Sequence, residues 1–243
     1  MVGCRMLALL APTVLATTLL SGILGMGGGV TLVAVMAALL QPALVVPVHG
    51  VIQLVGNTTR TVALLRHVAW GLVGLYVPTL LVGALVGLRL YAGAGMPWFR
   101  PLVGGFVLAF LIWDRLKPRR LVLPRWVFLP AGLIGGIITM LVGASGPYLA
   151  AFFLRDDLDR HQIVATKAAI QAIGHLVKIP AFTAVGFAYP DHLGLILPLV
   201  ACAVAGTLIG TRILRRLGEG VFQVAFRLFL AGLALRLILD AWL

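Results

Sequence analysis

Two rows of polar side chains are the residues of this sequence best suited to chemistry. Both rows have spacings of four, four and three residues, which places each row along one face of a helix. The first row is His49, Gln53, Asn57 and Arg60, and the second is Lys167, Gln171, His175 and Lys178. Both rows supply hydrogen-bond donors and potential cations without a carboxylate, a composition that favours an anion as the ligand.

The helices that carry these rows must lie in a membrane. The chain of 243 residues is 61% hydrophobic and 11% charged, with a mean hydropathy of +1.10, far above that of a soluble domain. Eight apolar segments can cross a hydrocarbon core. They are residues 6–40, 43–65, 68–88, 98–113, 126–154, 161–185, 192–211 and 221–241. We expect an all-α integral membrane protein, a polytopic helical bundle whose partners are the lipid bilayer and a small anion.

The net charge of +12 is interpreted as membrane topology and not as nucleic-acid binding, because most cations lie between the apolar segments. Cys4 and Cys202 lie in dissimilar settings without a CxxC motif or a His/Cys cluster, so neither a disulfide framework nor a metal site is predicted. No cofactor is predicted, since the glycine runs lack the strand-turn-helix context of a dinucleotide site. The apolar run at the start continues past any signal-peptide cleavage site, so we expect it in the mature protein.

The chain contains an internal repeat. A basic linker, residues 115–125, separates repeat 1 (residues 1–114) from repeat 2 (residues 126–243). Three sequence blocks align in the same order: HGVIQLVGNTTR with KAAIQAIGHLVK, LGMGGGV with LVGASGP, and GALVGLR with GTLIGTR. Three matches in one order indicate a duplication.

The distribution of loop cations predicts how the segments cross. If all eight segments span the membrane, the cations divide seven against seven, which gives no orientation. If the first segment of each repeat turns back at its glycines, eleven lie on the cytoplasmic side against Arg5, Arg89 and Arg100. If only the fifth segment is re-entrant, Arg5 changes sides and the loop cations divide twelve against two. The cation count therefore does not determine on which side of the membrane the N-terminus lies. We favour two re-entrant segments, each followed by three transmembrane helices, because this odd number of crossings inverts repeat 2 relative to repeat 1.

Each predicted turn would expose a helix N-terminus near the middle of the membrane. A helix that restarts inside MGGGV (26–30) or GASGP (143–147) would aim free N–H groups and a positive dipole end at the polar rows. Two such N-termini would form an anion site, with Thr31 and Ser145 as hydroxyl donors. The predicted substrate-binding residues are Gly27, Gly28, Gly29, Thr31, His49, Gln53, Asn57, Ser145, Gly146, Lys167, Gln171 and His175, with Arg60 and Lys178 as further candidates.

Structural roles are the alternatives for these residues. Each polar side chain could simply join neighbouring helices, and Arg60 and Lys178 could extend to the membrane surface. The glycines could provide close helix packing instead of breaks. We expect that packing role for Gly22, Gly132, Gly135 and Gly136.

The acidic residues limit the mechanism. All seven Asp and Glu residues lie in loops or near segment ends, so no intramembrane carboxylate is available to relay a proton or a sodium ion. Proton coupling would have to use His49 or His175, although an inside-negative potential already drives export of an anion. A membrane-embedded enzyme is disfavoured because Ser145 and His175 have no carboxylate at comparable depth. No catalytic residue is predicted.

These motifs resemble those of the sulfite exporter TauE/SafE family of bacterial membrane permeases. The resemblance rests on two glycine-broken repeats, GMGGGV and GASGP, and on HGxxQxxxNxxR at 49–60 with its counterpart at 167–178. It implies transport of sulfite, a sulfonate or another organic or sulfur-containing anion across the cytoplasmic membrane. The sequence departs from the family pattern by lacking a proline in VTLVAVM and by having ASG in its second run, so the resemblance does not name the anion.

The sequence therefore predicts a multi-pass permease of the bacterial inner membrane and not an enzyme. It would export a small anion by rocking one repeat against the other. A membrane-embedded enzyme and a passive anion channel are the alternatives. A homo-oligomer is compatible with the sequence, which fixes neither the coupling ion nor the oligomeric state.

Overall fold

The computed structural model describes residues 4–24, 27–93, 96–116, 123–153, 157–213, 231–232 and 234–239. Within these residues the chain forms helices and turns without any strand, which confirms the expected all-α class. The α-helices are α1 (Cys4–Leu24), α2 (Gly28–Leu39), α3 (Pro42–Ala63), α4 (Trp70–Gly93), α5 (Phe99–Leu116), α6 (Phe128–Leu141), α7 (Gly146–Phe152), α8 (Arg160–Ala184) and α9 (Leu193–Ile213). Residues 231–232 and 234–239 are also helical.

The helices coincide with the predicted apolar segments. In the described part of the chain, Trp70–Tyr91 and Tyr189–Arg212 are long and apolar enough to cross a membrane. Shorter apolar helices occupy Met6–Gly22, Gly28–Leu39 and Arg125–Leu141. The eighth predicted segment and the middle of the basic linker lie largely outside the described residues.

The first glycine run interrupts the helix, as predicted. α1 ends at Leu24 and α2 begins at Gly28, after Gly27 with a φ of 90°, a conformation that favours glycine. A Cβ atom at Gly28 would overlap the backbone oxygen of Thr17 and the hydroxyl of Ser21. Thr17 lies about 10 Å before the end of α1 at the helical rise per residue. The start of α2 therefore lies beside Thr17 of α1, so α1 and α2 are not one continuous helix.

The second glycine run also interrupts the helix. α6 ends at Leu141 and α7 begins at Gly146, after Gly143 with a φ of 93°. α7 has seven residues, and Pro147 is its second residue. Because fewer peptide dipoles are aligned in so short a helix, its N-terminus carries less positive potential than that of α2.

Small residues bring the outer helices together in two matching pairs. α4 packs against α6, and α9 packs against α1. A Cβ atom at Gly83 would overlap the backbone oxygen of Leu133 in α6, and one at Gly210 would overlap the backbone oxygen of Leu19 in α1. Gly83 and Gly210 belong to the aligned GALVGLR and GTLIGTR blocks. Close backbone approach of this kind is how small residues associate helices in lipid.

The packing role expected of four further glycines is confirmed. Gly22 lies against the backbone of Gly210, and Gly135 lies against the ring of Tyr76. Gly132 and Gly136 lie against the backbone of α4. These glycines lie in helices and do not break them.

The two polar rows lie at the centre, where α3 packs against α8. A Cβ atom at Gly50 of α3 would lie 3.0 Å from Cδ of Lys178 in α8. Lys178 is 0% exposed and Arg60 is 5% exposed. Neither side chain extends to the membrane surface, so that alternative is wrong for both.

The α4–α6 packing predicts a difference between two glycines of one helix. Gly83→Ala is expected to lower the free energy of unfolding by about 1–3 kcal/mol, because the two backbones must separate. Gly74 of α4 has no atom within 4 Å of a Cβ position, so Gly74→Ala should unfold at the same or a higher temperature. Thermal unfolding of the purified variants in detergent measures this difference. Equal midpoints for the two variants would contradict the packing role.

The start of α8 carries a cap that is sensitive to acid. Asp159 accepts a hydrogen bond from the backbone of Gln162 at 2.9 Å, and the Gln162 side chain accepts one from the backbone of Asp159 at 3.0 Å. The bond from Gln162 lowers the pKa of Asp159, with His161 and His67 adding to the effect. Because the folded-state pKa is lowered, the stabilisation is present at neutral pH and is lost as the pH falls through that pKa.

Substitution of Asp159 tests this cap. Asp159→Asn keeps an oxygen acceptor that does not titrate, so it should remain stable at neutral pH and lose less stability on acidification than the wild type does. Asp159→Ala should be less stable at every pH. Thermal unfolding at neutral and acidic pH distinguishes them, and equal stability of the wild type and Asp159→Ala at neutral pH would show that the cap contributes nothing.

Candidate functional site

A small cavity lies where the two helix breaks meet the two polar rows. Its volume is about 20 Å³, enough for about one water molecule. The predicted site residues that line it are Gly27, Gly29, His49, Gln53, Arg60, Ser145, Gly146, Gln171 and His175. No Asp or Glu of the described chain lines it. The cavity is therefore surrounded by hydrogen-bond donors and potential cations.

Five predicted site residues lie outside this lining: Gly28, Thr31, Asn57, Lys167 and Lys178. Gly28 faces α1, and the Thr31 hydroxyl donates to the carbonyl oxygen of Gly27 at 2.8 Å. Asn57 donates to the backbone oxygen of Gln53, which lines the cavity, and Lys178 donates to that of Gly143, which precedes the lining residue Ala144. Lys167 is buried, with 4% of its surface exposed. These five residues are therefore not part of the cavity lining.

In repeat 1, the polar row bonds to the helix that follows the first break. The Nε2 atom of His49 lies 2.9 Å from the carbonyl oxygen of Gly29. Because a carbonyl oxygen accepts, Nε2 carries the hydrogen in this contact. A Cβ atom at Gly29 would lie 3.3 Å from Oε1 of Gln53, so the glutamine amide lies directly against the first turn of α2.

The same arrangement recurs in repeat 2. A Cβ atom at Gly146 would lie 3.3 Å from Nε2 of Gln171. The ammonium group of Lys178 donates to the carbonyl oxygen of Gly143 at 2.6 Å. The hydroxyl of Thr139 donates to that of Ser145 at 2.8 Å. Each glutamine therefore faces the glycine near the start of a helix, and each break is bonded to a polar row.

A chain of hydrogen bonds orients the amide of Gln53. Arg60 Nη1 donates to Oδ1 of Asn57 at 3.2 Å. Asn57 Nδ2 donates to the backbone oxygen of Gln53 at 2.9 Å and to its Oε1 at 3.3 Å. The Nε atom of Arg60 has no hydrogen-bond partner among the described residues. The guanidinium group therefore keeps a free donor while it lines the cavity.

The first turn of α2 adds backbone donors. Gly27 and Val30 line the cavity beside Gly29, and no side chain caps the N-terminus of α2. The first backbone N–H groups of a helix have no partner within the helix. Together with the positive end of the helix dipole, they favour a negative ligand at this wall.

The two imidazoles meet across the centre of the protein. The ring centroids of His49 and His175 are 5.7 Å apart, with an angle of 68° between the ring planes. His49 comes from α3 in repeat 1, and His175 comes from α8 in repeat 2. The site is thus built from helices that lie far apart in the sequence.

The sequence did not predict four of the residues that line the cavity: Ser21, Val30, Ala144 and Pro147. Ser21 carried a usable signal, since it is a hydroxyl residue in an apolar run shortly before the first break. Val30 and Ala144 carried none, because apolar residues flank many polar sites without contacting them.

Comparison with known proteins agrees with the sequence patterns. A model of the family described as "Sulfite exporter TauE/SafE" matches residues 10–237. A protein of Comamonas testosteroni described as "Probable inner membrane transporter protein TsaS" is 23% identical over 181 residues, which cover 73% of this chain and 75% of that protein. No solved structure matches the chain. Because the family match spans nearly the whole chain, the protein belongs to the sulfite exporter TauE/SafE family of membrane transporters.

Proposed function

We propose that the protein exports a small anion, such as sulfite or a sulfonate, which binds in the central cavity. The observation that carries this proposal is a buried cavity lined by Arg60, two histidines, two glutamines and the N-terminus of α2, without a carboxylate in its described lining.

Electrostatics supports an anion as the ligand. Arg60 lines the cavity and is 5% exposed, and its Nε atom has no hydrogen-bond partner among the described residues. A buried charge without a counter-charge is costly, and polar groups at membrane depth mark functional sites. A bound anion would supply the missing negative charge and would accept hydrogen bonds from the amides of Gln53 and Gln171.

The size of the cavity supports movement during transport. At about 20 Å³ it has room for about one water molecule, less than a sulfite or sulfonate group requires. The walls must therefore separate when the anion binds. Because α3 and α8 come from different repeats, we propose that repeat 1 (residues 1–114) rocks against repeat 2 (residues 126–243) around the site.

Matching contacts support the proposed inversion of the repeats. The α4–α6 pair corresponds to α9–α1, and the Gly29–Gln53 contact corresponds to Gly146–Gln171. Such correspondence is expected if a two-fold axis in the membrane plane relates the halves, with the segments at the glycine breaks entering and leaving on the same side. An inside-negative potential would then drive export at about 2.3 kcal/mol per charge per 100 mV.

The two glutamines test the proposed site. We expect Gln53→Ala and Gln171→Ala each to lower sulfite counterflow in proteoliposomes about tenfold, because each loses a hydrogen bond to a charged ligand. Gln41→Ala is the matched control, since Gln41 is exposed at the start of α3 and its side chain makes no cap bond. Thermal unfolding in detergent checks that all three variants are folded.

Three outcomes would contradict this proposal. Unchanged counterflow in both site variants would refute the assignment of the site. Flux that does not saturate with sulfite concentration would indicate a passive channel. Chemical turnover of the anion by purified protein would indicate an enzyme, for which Ser145 and His175 are the nearest residues.

A further inference from the structure

We propose that the anion crosses together with a proton held by the His49–His175 pair, which makes the protein a proton–anion cotransporter. This inference rests on the proposed function and adds its coupling ion. One proton cancels one negative charge of the anion, so a divalent anion such as sulfite still leaves with one net negative charge, which the inside-negative potential drives outward. The proton would be taken from water on one side of the membrane and released to water on the other.

The two imidazoles line the cavity in which we propose that the anion binds. His49 is 0% exposed and His175 is 3% exposed, and both line the central cavity. Nε2 of His49 donates to the carbonyl oxygen of Gly29, which leaves Nδ1 as the atom that can take the proton. The Nδ1 atoms of both rings have no hydrogen-bond partner among the described residues. Histidine is the side chain whose charge normally changes near neutral pH.

The charges around the pair make protonation depend on the anion. Arg60 on α3 lines the cavity, and Lys178 on α8 donates to the carbonyl oxygen of Gly143, which precedes the lining residue Ala144. From α2 and α7, the lining consists of Gly29, Val30, Gly146 and Pro147, and from α1 it is the hydroxyl of Ser21. No described Asp or Glu lines the cavity. A third positive charge would be repelled unless an anion were present.

Anion binding and protonation therefore favour each other. By thermodynamic reciprocity, a proton that raises the affinity for the anion is itself bound more tightly when the anion is present. Because His49 and His175 lie on helices of different repeats, a rocking movement would change the distance between the two rings. The proton and the anion would thus be transferred in the same conformational step.

Proteoliposomes that contain a pH-sensitive dye test the coupling. Methanesulfonate is the first probe, because it stays ionised at every pH used, and sulfite is the second. In wild-type protein, a methanesulfonate gradient should move protons in the same direction as the anion. If one proton accompanies each anion, the apparent affinity should fall about tenfold per pH unit on the alkaline side.

His49→Asn and His175→Asn are the site variants, since asparagine keeps a donor but does not titrate. Each should lose both the proton movement and the pH dependence of anion affinity. A second histidine pair provides the matched control: the rings of His67 and His161 are 5.3 Å apart, but both residues are exposed and lie outside the cavity lining. The double variant His67→Asn, His161→Asn should behave as the wild type.

The outcomes separate this inference from the proposed function. Anion flux without proton movement in the wild type would overturn the coupling and leave the anion transporter intact. If sulfite alone is transported, unchanged pH dependence in both site variants would show that the proton crosses as bisulfite and would overturn the role of the histidines. Absence of counterflow with both probes would overturn the proposed function and the coupling with it.

A measurement without variants covers the case in which a substituted protein does not fold. Addition of methanesulfonate, which does not titrate, to wild-type protein in weakly buffered detergent at the same pH should make the solution more alkaline, because a proton is taken up with the anion. Anion binding that leaves the pH unchanged would overturn the inference.

Discussion

Backbone carbonyl groups at the two helix breaks must find hydrogen-bond donors in an interior without bulk water. His49 bonds to the carbonyl of Gly29, and Lys178 bonds to that of Gly143. In hydrocarbon an unsatisfied backbone group costs several kcal/mol, so a break within the membrane is tolerated only where the protein supplies such partners. The polar rows that could bind a ligand therefore also hold the breaks in place. The structural role considered for these side chains is correct for some of them, and it does not exclude a role in binding.

Close packing of the outer helices gives the central pair its position. Gly83 and Gly210 allow α4 to approach α6 and α9 to approach α1 at backbone distance. α3 and α8 then lie between these pairs with their polar faces directed toward each other. Such packing depends on van der Waals contact, because lipid tails are as apolar as the helices themselves. The polar site is consequently held in position by the apolar packing of the outer helices.

Membership of the sulfite exporter TauE/SafE family agrees with the chemistry of the cavity. A lining of donors and potential cations suits an anion, whereas a sodium or proton relay through carboxylates has no residue to use within the described lining. His49 of α3 and His175 of α8 contact each other and both line the small cavity, which lies at the boundary of the two repeats that we propose. A movement of one repeat against the other would change the size of the cavity and the separation of the rings together.

Much of this protein follows from its sequence. Apolar segments, helix breaks at the glycines and rows of polar side chains depend on residues close together in the chain, and the structure has all three. Tertiary structure decided which residues meet. The packing of α3 against α8 places Lys178 against Gly50 and brings His49 to His175. Lys178 and Arg60, which could have reached the membrane surface, are both buried. Ser21 of α1 lines the cavity beside the first turn of α2. These contacts join distant parts of the chain, and their register is set by how whole helices pack, which no local pattern specifies.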